Sequence, residues 1–361
     1  HFYTFFSRHV LGFRPFQEGK AMGLAAYGDP GALARFPTFP DELFSTIDTP
    51  LLEHCLSIGF RPPKRPAGTD PITPEYADLA LWMQTVLSHG HEHLSRLALG
   101  LTGSRTLCAA GGVTLNVVAN QETRASLVRE DLLDTMFVQP AANDMGTPLG
   151  AAMIGYSELV DGSLPFQRDL VYLGPRYKTS THSEPALLSR GATRIDNPIQ
   201  TAVELLLDGN ILGWWDGRSE HGPRALGARS ILCWPRDGKM KDHLNARVKH
   251  REAFRPFAPI VAVEHANEIF DCPMPIPYML FNATVREGYR DRIPAVVHAD
   301  GSARLQTVSR DDLPRLHSLL LAVRDRDGVG VLLNTSFNVA GEPIVETPED
   351  AVRCYENTNI D

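Results

Sequence analysis

Three arginines, Arg218, Arg224 and Arg229, fall between Gly213 and Ser230 among five glycine and proline breakers. A segment so interrupted cannot form a smooth amphipathic helix, which leaves its guanidinium forks free to converge. Arginine grips phosphate and carboxylate oxygens bidentately, so the chemistry on offer is anion binding. Lys249-His-Arg-Glu-Ala-Phe-Arg255-Pro-Phe-Ala-Pro continues the pattern, with Pro256 and Pro259 stiffening the chain beside Arg255. From Gly213 to Ala258 ten Arg/Lys stand against five Asp/Glu, a local charge of +5 in a chain whose net charge is −8. A solvated basic face has the same composition, but two such clusters in succession favour a small anion over a long polyanion.

A second set lies where an apolar run, Val329–Asn334, enters the polar stretch Thr-Ser336-Phe-Asn338-Val-Ala-Gly341. Asn334, Ser336 and Asn338 alternate, so extended backbone places them on one face. Uncharged donors there suit a phosphate or an amide, and turn-type backbone hydrogen bonds are the plainer alternative. Gly111-Gly112-Val-Thr-Leu-Asn116 directly follows an apolar strand pattern. Glycines there let backbone N–H groups approach an anion, although a tight turn needs the same residues. Asn143-Asp144 precedes an apolar helix, where a carboxylate can hold a metal or simply cap the helix.

Two further groups carry less. His89-Gly-His91-Glu-His93 has metal-ligand residue types, but on a helix only His89 and His93 share a face, so a solvated helix is expected rather than zinc. Trp214-Trp215 reads as core or pocket wall.

The elements positioning these residues follow from period and punctuation. Helices are expected over 77–99, 116–129, 148–159, 199–208, 240–248, 313–325 and 348–355. Strands are expected over 106–110, 136–139, 211–215, 257–263 and 329–334, with one ending at 309. Strand, Gly loop, helix, strand, loop, helix is a nucleotide-domain order in an α/β protein. Residues 1–76 carry little pattern. Periodicity also fails from Asp161 to Pro198, which sets a boundary near residue 180 and two domains, 1–180 and 181–361.

With 361 residues, 43% hydrophobic and 22% charged, the chain has the composition of a globular protein with at least one large core. Its apolar runs fall short of the roughly 18 residues a membrane span needs. The acidic balance argues against a general nucleic-acid binder. Five cysteines without a Cys-x-x-Cys pair point to a reducing cytoplasm rather than to disulfides or structural zinc.

Together the motifs resemble the O-carbamoyltransferases of the nodulation and antibiotic-tailoring family. The stretches that carry the resemblance are Lys20-Ala-Met-Gly-Leu-Ala-Ala-Tyr-Gly, Gly-Gly-Val-Thr-Leu-Asn116, Gln-Pro-Ala-Ala-Asn-Asp144, Glu220-His-Gly-Pro-Arg-Ala-Leu-Gly-Ala-Arg229-Ser-Ile-Leu, Arg255-Pro-Phe-Ala-Pro and Leu-Asn334-Thr-Ser-Phe-Asn338. The resemblance implies an α/β fold: the second lobe of an actin/sugar-kinase-like domain, then a YrdC-like domain. It implies that the second domain makes carbamoyl-adenylate from carbamoyl phosphate and ATP. The first then passes the carbamoyl group to a small-molecule hydroxyl acceptor, a secondary metabolite such as an antibiotic, macrolide, aminoglycoside or sugar.

By that resemblance Arg224, Lys249, Arg255 and Arg304 neutralise and orient carbamoyl phosphate and ATP, and Asn334, Ser336 and Asn338 bind carbamoyl or phosphate groups. Gly111, Gly112 and Asn116 hold the adenylate. Asp144 is one ligand of iron(II) or another divalent metal, and magnesium accompanies ATP. Neither nucleic acid nor membrane is an implied partner, and a homodimer is kept open as the assembly. Family members carry an upstream portion with a His-x-x-x-His pair that has no counterpart here, and this chain opens at His1. It is therefore read as a piece in which adenylate formation is expected to survive and carbamoyl transfer is not. Two other readings are a threonylcarbamoyl-AMP synthase and a non-catalytic nucleotide-binding module. The acidic charge and the Glu220–Arg229 block argue against the first.

Overall fold

The computed structural model describes residues 2–15, 17–45, 50–62, 73–160, 170–177 and 183–361. The chain is mixed α/β and forms two compact units, His1–Val138 with His298–Asp300, and Gln139–Val297 with Gly301–Asp361. The boundary expected near residue 180 lies outside the described residues. Among the described residues no helix is long and apolar enough to cross a membrane. All five cysteines are free.

The spine of the first unit is the helix Pro74–Thr102. Pro74 takes the first helical position, where its missing N–H breaks no bond, and Gly103 ends the helix in a left-handed conformation, φ 66°. Trp82 on this helix gathers Phe2, Phe6, Phe36, Phe39 and Phe60, with ring centroids 5.2 to 6.1 Å away. Its indole N–H donates to the Pro37 carbonyl at 2.8 Å. These partners come from the stretch before residue 76, where local pattern is weak because the order is made by long-range aromatic packing. His89 and His93 do share a face: the first meets Asp41 at 2.7 Å and the second Ser45 at 2.9 Å. His91 turns away to Thr123. Strands β1 (Thr106–Ala109) and β2 (Thr135–Val138) pair in parallel, with the helix Val117–Arg129 between them in sequence.

The second unit holds β3 (Leu212–Trp215), β4 (Arg229–Cys233), β5 (Ala258–Ala262), β6 (Phe270–Asp271), β7 (Ala283–Val285), β8 (Ser302–Ala303), β9 (Gln306–Val308) and β10 (Val331–Ser336). Five make one sheet in the order β3-β4-β10-β5-β9, and β6-β7-β8 make another. Within the larger sheet only β5 and β9 run parallel. The helices Pro198–Leu207 and Pro314–Asp327 pack against it through Val203, Leu206, Leu316, Leu319, Leu320 and Val323, which meet Leu232, Ile260 and Leu332.

Periodicity does not reveal β4. It follows directly on the Gly/Pro/Arg run, and all five of its residues are buried, so no polar alternation marks it. Yet β4 lies beside the central strand. Ser336 of β10 is opposite Ser230, and Asn334 is opposite both Leu232 and Ala258. The C-terminal end of β10 therefore shares one sheet edge with the N-terminal ends of β4, β5 and β9.

Candidate anion-binding site

Lys249 is brought to that edge by an irregular segment. The helix Met240–Leu244 widens into a π-turn, Asn245–Lys249, and His250 follows in the left-handed region at φ 44°. The side chain of Lys249 is buried and its ammonium faces the end of β10. It donates to the Ser336 carbonyl, to the Asn338 carbonyl at 2.9 Å and to Asn338 Oδ1 at 2.9 Å, with Ser336 Oγ at 3.2 Å. Ser336 Oγ in turn donates to Asn338 Oδ1 at 2.6 Å. Burial, with the charge of Arg251 second, pushes the Lys249 ammonium down to about 7.

Four guanidiniums lie within electrostatic reach of one another. Burial pushes Arg224 down to about 10, reinforced by the charge of Arg255. Burial and then Arg255 push Arg251 to about 9. Arg304 is held well below the usual arginine range by burial and by the charges of Arg224, Arg251 and Arg255. Arg255 is lowered by burial and partly offset by Glu252, 3.9 Å away. The Nε atoms of Arg224 and Arg304 are buried without a hydrogen-bond partner. Arginine stays protonated, so the downward shifts measure unrelieved like-charge repulsion and desolvation. An arrangement of this kind is completed by a ligand that carries several negative charges close together.

Of the sequence candidates, Arg224, Lys249, Arg255, Arg304, Ser336 and Asn338 thus fall in one region of the second unit. Arg251 joins them, its guanidinium stacked 4.1 Å from the centre of the Phe257 ring. The basic count included Arg251, but spacing could not separate it from solvated neighbours.

The expected convergence of the three arginines between Gly213 and Ser230 is corrected, because only Arg224 joins the cluster. Arg218 donates to the carbonyls of Gly174 and Leu173. Arg229 is fully buried, donates to the carbonyls of Asp216, Ala228 and Glu346, and stacks 4.0 Å from the centre of the Trp215 ring. Both arginines hold loops by pairing with backbone oxygens, buried ones in the case of Arg229.

Asn334 is 1% exposed and its amide donates to Gln306 Oε1 at 2.8 Å, while the Gln306 amide donates to the Leu226 carbonyl at 2.6 Å. Asn334 is thus turned under the loop that carries Arg224, whereas Ser336 and Asn338 face Lys249. Glu220 secures the same loop: its Oε1 accepts from the N–H groups of Leu226 and Ala228 at 2.7 Å and of Arg229 at 3.2 Å. Burial raises the Glu220 carboxyl, and these backbone bonds oppose the rise. Gln306 had no signal in the sequence. Glu220 had one, its place in the Glu220–Arg229 block, without a role attached.

The remaining candidates divide between the units. In the first, Gly111 adopts φ 101°, and an added Cβ at Gly111 or Gly112 would meet nothing within 4 Å. The backbone there is open to approach. Asn116 caps the helix Val117–Arg129, accepting from Ala119 N at 3.0 Å, and its amide donates to Gln84 Oε1 at 2.8 Å. In the second unit Asp144 is exposed at the start of a 3-10 turn, next to Asn143, whose side chain caps that turn. Among the described residues no group of three His, Cys, Asp or Glu side chains is placed to hold a metal ion. Asp144 supplies a single carboxylate, short of the ligand set that the implied iron(II) or other divalent-metal centre needs.

Residues 76–153 match the family described as carbamoyltransferase N-terminus, and residues 203–361 match carbamoyltransferase C-terminus. The chain is 39% identical over 97% of its length to the nodulation protein NolNO of Sinorhizobium fredii, covering 52% of that protein. It is 38% identical over 97% of its length to the nodulation protein NolO of Bradyrhizobium diazoefficiens, covering 65% of it. It therefore spans between about half and two thirds of the length of these relatives. A structure of full-length HypF in its phosphate- and nucleotide-bound form overlaps 46% of this chain at 15% identity and a TM-score of 0.30, too little to define a shared fold. With both terminal regions matched in order, the chain belongs to the carbamoyltransferase family.

Proposed function

We propose that this chain is the carbamoyl-adenylate-forming part of an ATP-dependent O-carbamoyltransferase. The observation that supports this most is the cluster of Arg224, Arg251, Arg255 and Arg304 beside Lys249, whose mutual repulsion a polyanionic substrate pair would relieve. Carbamoyl phosphate and MgATP repel each other in water, and the cluster lets their phosphates lie side by side. Atom balance sets the products. Water replaces phosphate at the carbamoyl carbon, giving carbamate and orthophosphate. A carbamate oxygen then attacks the α-phosphorus of ATP, forming the C–O–P link as the bond to pyrophosphate breaks. The guanidiniums stabilise charge on the departing phosphates, and Lys249 with Ser336 and Asn338 orients the carbamoyl end.

In this reading residues 181–361 are YrdC-like. Residues 1–180 belong to an actin/sugar-kinase-like domain, and Gly111, Gly112 and Asn116 hold the adenylate for transfer to a secondary-metabolite hydroxyl. The test is pyrophosphate release from ATP with and without carbamoyl phosphate, for this chain and its Arg255→Ala variant. Release that requires carbamoyl phosphate and is lost in the variant is the expected result. ATP binding without such release in the folded chain would overturn the reading in favour of a nucleotide-binding module.

A further inference from the structure

Asn245 opens the π-turn Asn245–Lys249, and its carbonyl accepts from His250 N at 2.7 Å, a bond from i to i+5 that closes the turn. Lys249 and Arg251 flank the residue on which the turn closes. Asn245 itself is 7% exposed. Its Oδ1 accepts from Arg251 Nε at 3.3 Å, whereas its Nδ2 is buried and has no hydrogen-bond partner among the described residues. Arginine can only donate, so this bond fixes which end of the amide is oxygen and leaves Nδ2 on the side away from Arg251 Nε. A buried donor left unmet weakens a fold, and each such group calls for a reason. Completion by a ligand is one.

The surroundings define what that ligand must offer. The Arg251 guanidinium lies 4.1 Å from the centre of the Phe257 ring, so the bond to Asn245 and the contact with Phe257 together set its direction. Its charge is felt at Lys249 and at Arg304. Lys241, one helical turn before Asn245, lies within reach of the same charge. An N–H donor needs an acceptor, and among these cations the acceptor best stabilised is an oxygen that bears negative charge. A neutral carboxamide can hold such an oxygen without adding to the repulsion among the cations.

We propose that Asn245 is a further ligand-binding residue of the anion site, aiming Arg251 through Oδ1 and donating from Nδ2 to an oxygen of the bound phosphate group. The assignment rests on the anion-binding reading of the cluster and not on the adenylation step. A role through Arg251 alone would make Asn245 a positioning residue, and a double-mutant cycle separates the two. Calorimetry with inorganic pyrophosphate on the full chain compares the parent, Asn245→Leu, Arg251→Met and the double variant. Asn245→Leu is expected to weaken binding by about 10–100-fold, because both contacts go. In the Arg251→Met background the same change is expected to cost about 3–10-fold more, because the Nδ2 bond reaches the ligand directly. Equal affinities of Arg251→Met and the double variant would overturn the proposal, as would an Asn245→Leu variant that binds like the parent. Thermal melting confirms folding, and Asn245→Ala replaces Asn245→Leu if the latter does not melt cooperatively. A folded parent that does not bind pyrophosphate would overturn the proposal together with the anion-binding reading. Pyrophosphate release from ATP on the parent tests adenylation separately: its absence beside the expected affinities would leave the Asn245 assignment standing.

Discussion

Lys249 reaches Asn338 twice, donating to its backbone carbonyl and to its side-chain Oδ1, each at 2.9 Å. One ammonium thereby fixes both the path of the chain after β10 and the orientation of the Asn338 amide. That amide's Nδ2 donates to the Glu342 carbonyl at 2.7 Å, so the whole turn from Ser336 to Glu342 depends on the ammonium. The group is also electrostatically uncomfortable, since burial pushes it down to about 7.

The first prediction follows from that discomfort. The folded chain binds fewer protons at Lys249 than the unfolded chain does between about pH 7 and the ordinary lysine value near 10.4. The contribution of this group to stability is therefore unfavourable below about pH 7 and improves as pH rises through that window. A bound phosphate dianion reverses the preference and draws a proton in. Calorimetry of inorganic phosphate binding at pH 8, in buffers of different ionisation enthalpy, should show uptake approaching roughly one proton per anion. The Lys249→Met variant should take up none.

The second concerns Arg304, whose charge is opposed by burial and by Arg224, Arg251 and Arg255. Replacing a strained buried ion by a hydrophobe of similar volume is commonly neutral, or stabilising by about 1–4 kcal/mol. Arg304→Met should accordingly leave the melting temperature of the ligand-free chain unchanged or raised. It should also abolish the rise in melting temperature that phosphate or pyrophosphate causes in the parent. A ligand-free variant that melts well below the parent would contradict this account.

The third separates backbone strain from crowding. Gly227 and Gly111 both lie at positive φ, 105° and 101°. A Cβ at Gly227 would meet Leu316 at 2.3 Å and Leu313 at 3.0 Å, whereas one at Gly111 would meet nothing within 4 Å. Gly111→Ala should cost the backbone strain alone, about 1–3 kcal/mol. Gly227→Ala should cost about 1–3 kcal/mol more, from displaced leucines. Because Gly227 lies in the loop that Glu220 and Gln306 secure, its substitution should also weaken anion binding. Denaturant unfolding with a phosphate titration checks both.

The fourth tests the metal assignment. Asp144 is exposed, and among the described residues it belongs to no group of three His, Cys, Asp or Glu side chains placed to hold a metal. Asp144→Ala should change stability by less than about 0.5 kcal/mol. It should leave carbamoyl-phosphate-dependent pyrophosphate release at the parent rate. A large loss of that release would place Asp144 in the first reaction step and contradict a site built on the basic cluster alone.

Local chemistry made much of this molecule readable. The helix Pro74–Thr102 shows in its apolar period, read over 77–99, while Pro74 and Gly103 set its ends. The helix Pro348–Glu356 matches the expected 348–355, and the structure closes its start with a capping box in which Thr347 and Asp350 satisfy each other's backbone N–H groups. The parallel pairing of β1 with β2 follows from a strand, a glycine turn and a crossover helix. Lys249, Arg255, Ser336 and Asn338 were readable because their residue types and breakers are unusual for a solvated surface.

What the tertiary structure alone decided is which residues meet. Arg218, Arg224 and Arg229 look alike in the sequence, but only Arg224 joins the cluster. The other two find backbone oxygens at Leu173, Gly174 and Glu346, 44 to 117 residues away in the chain. β4 carries no alternation because it is buried on both faces beside β10. The aromatic set around Trp82, the Asn334–Gln306 pair and the arrival of Arg304 are likewise long-range. Local sequence encodes period, caps and charge. The sign of an electrostatic environment depends on distances set by the packing of remote segments, and no window of neighbouring residues contains that information.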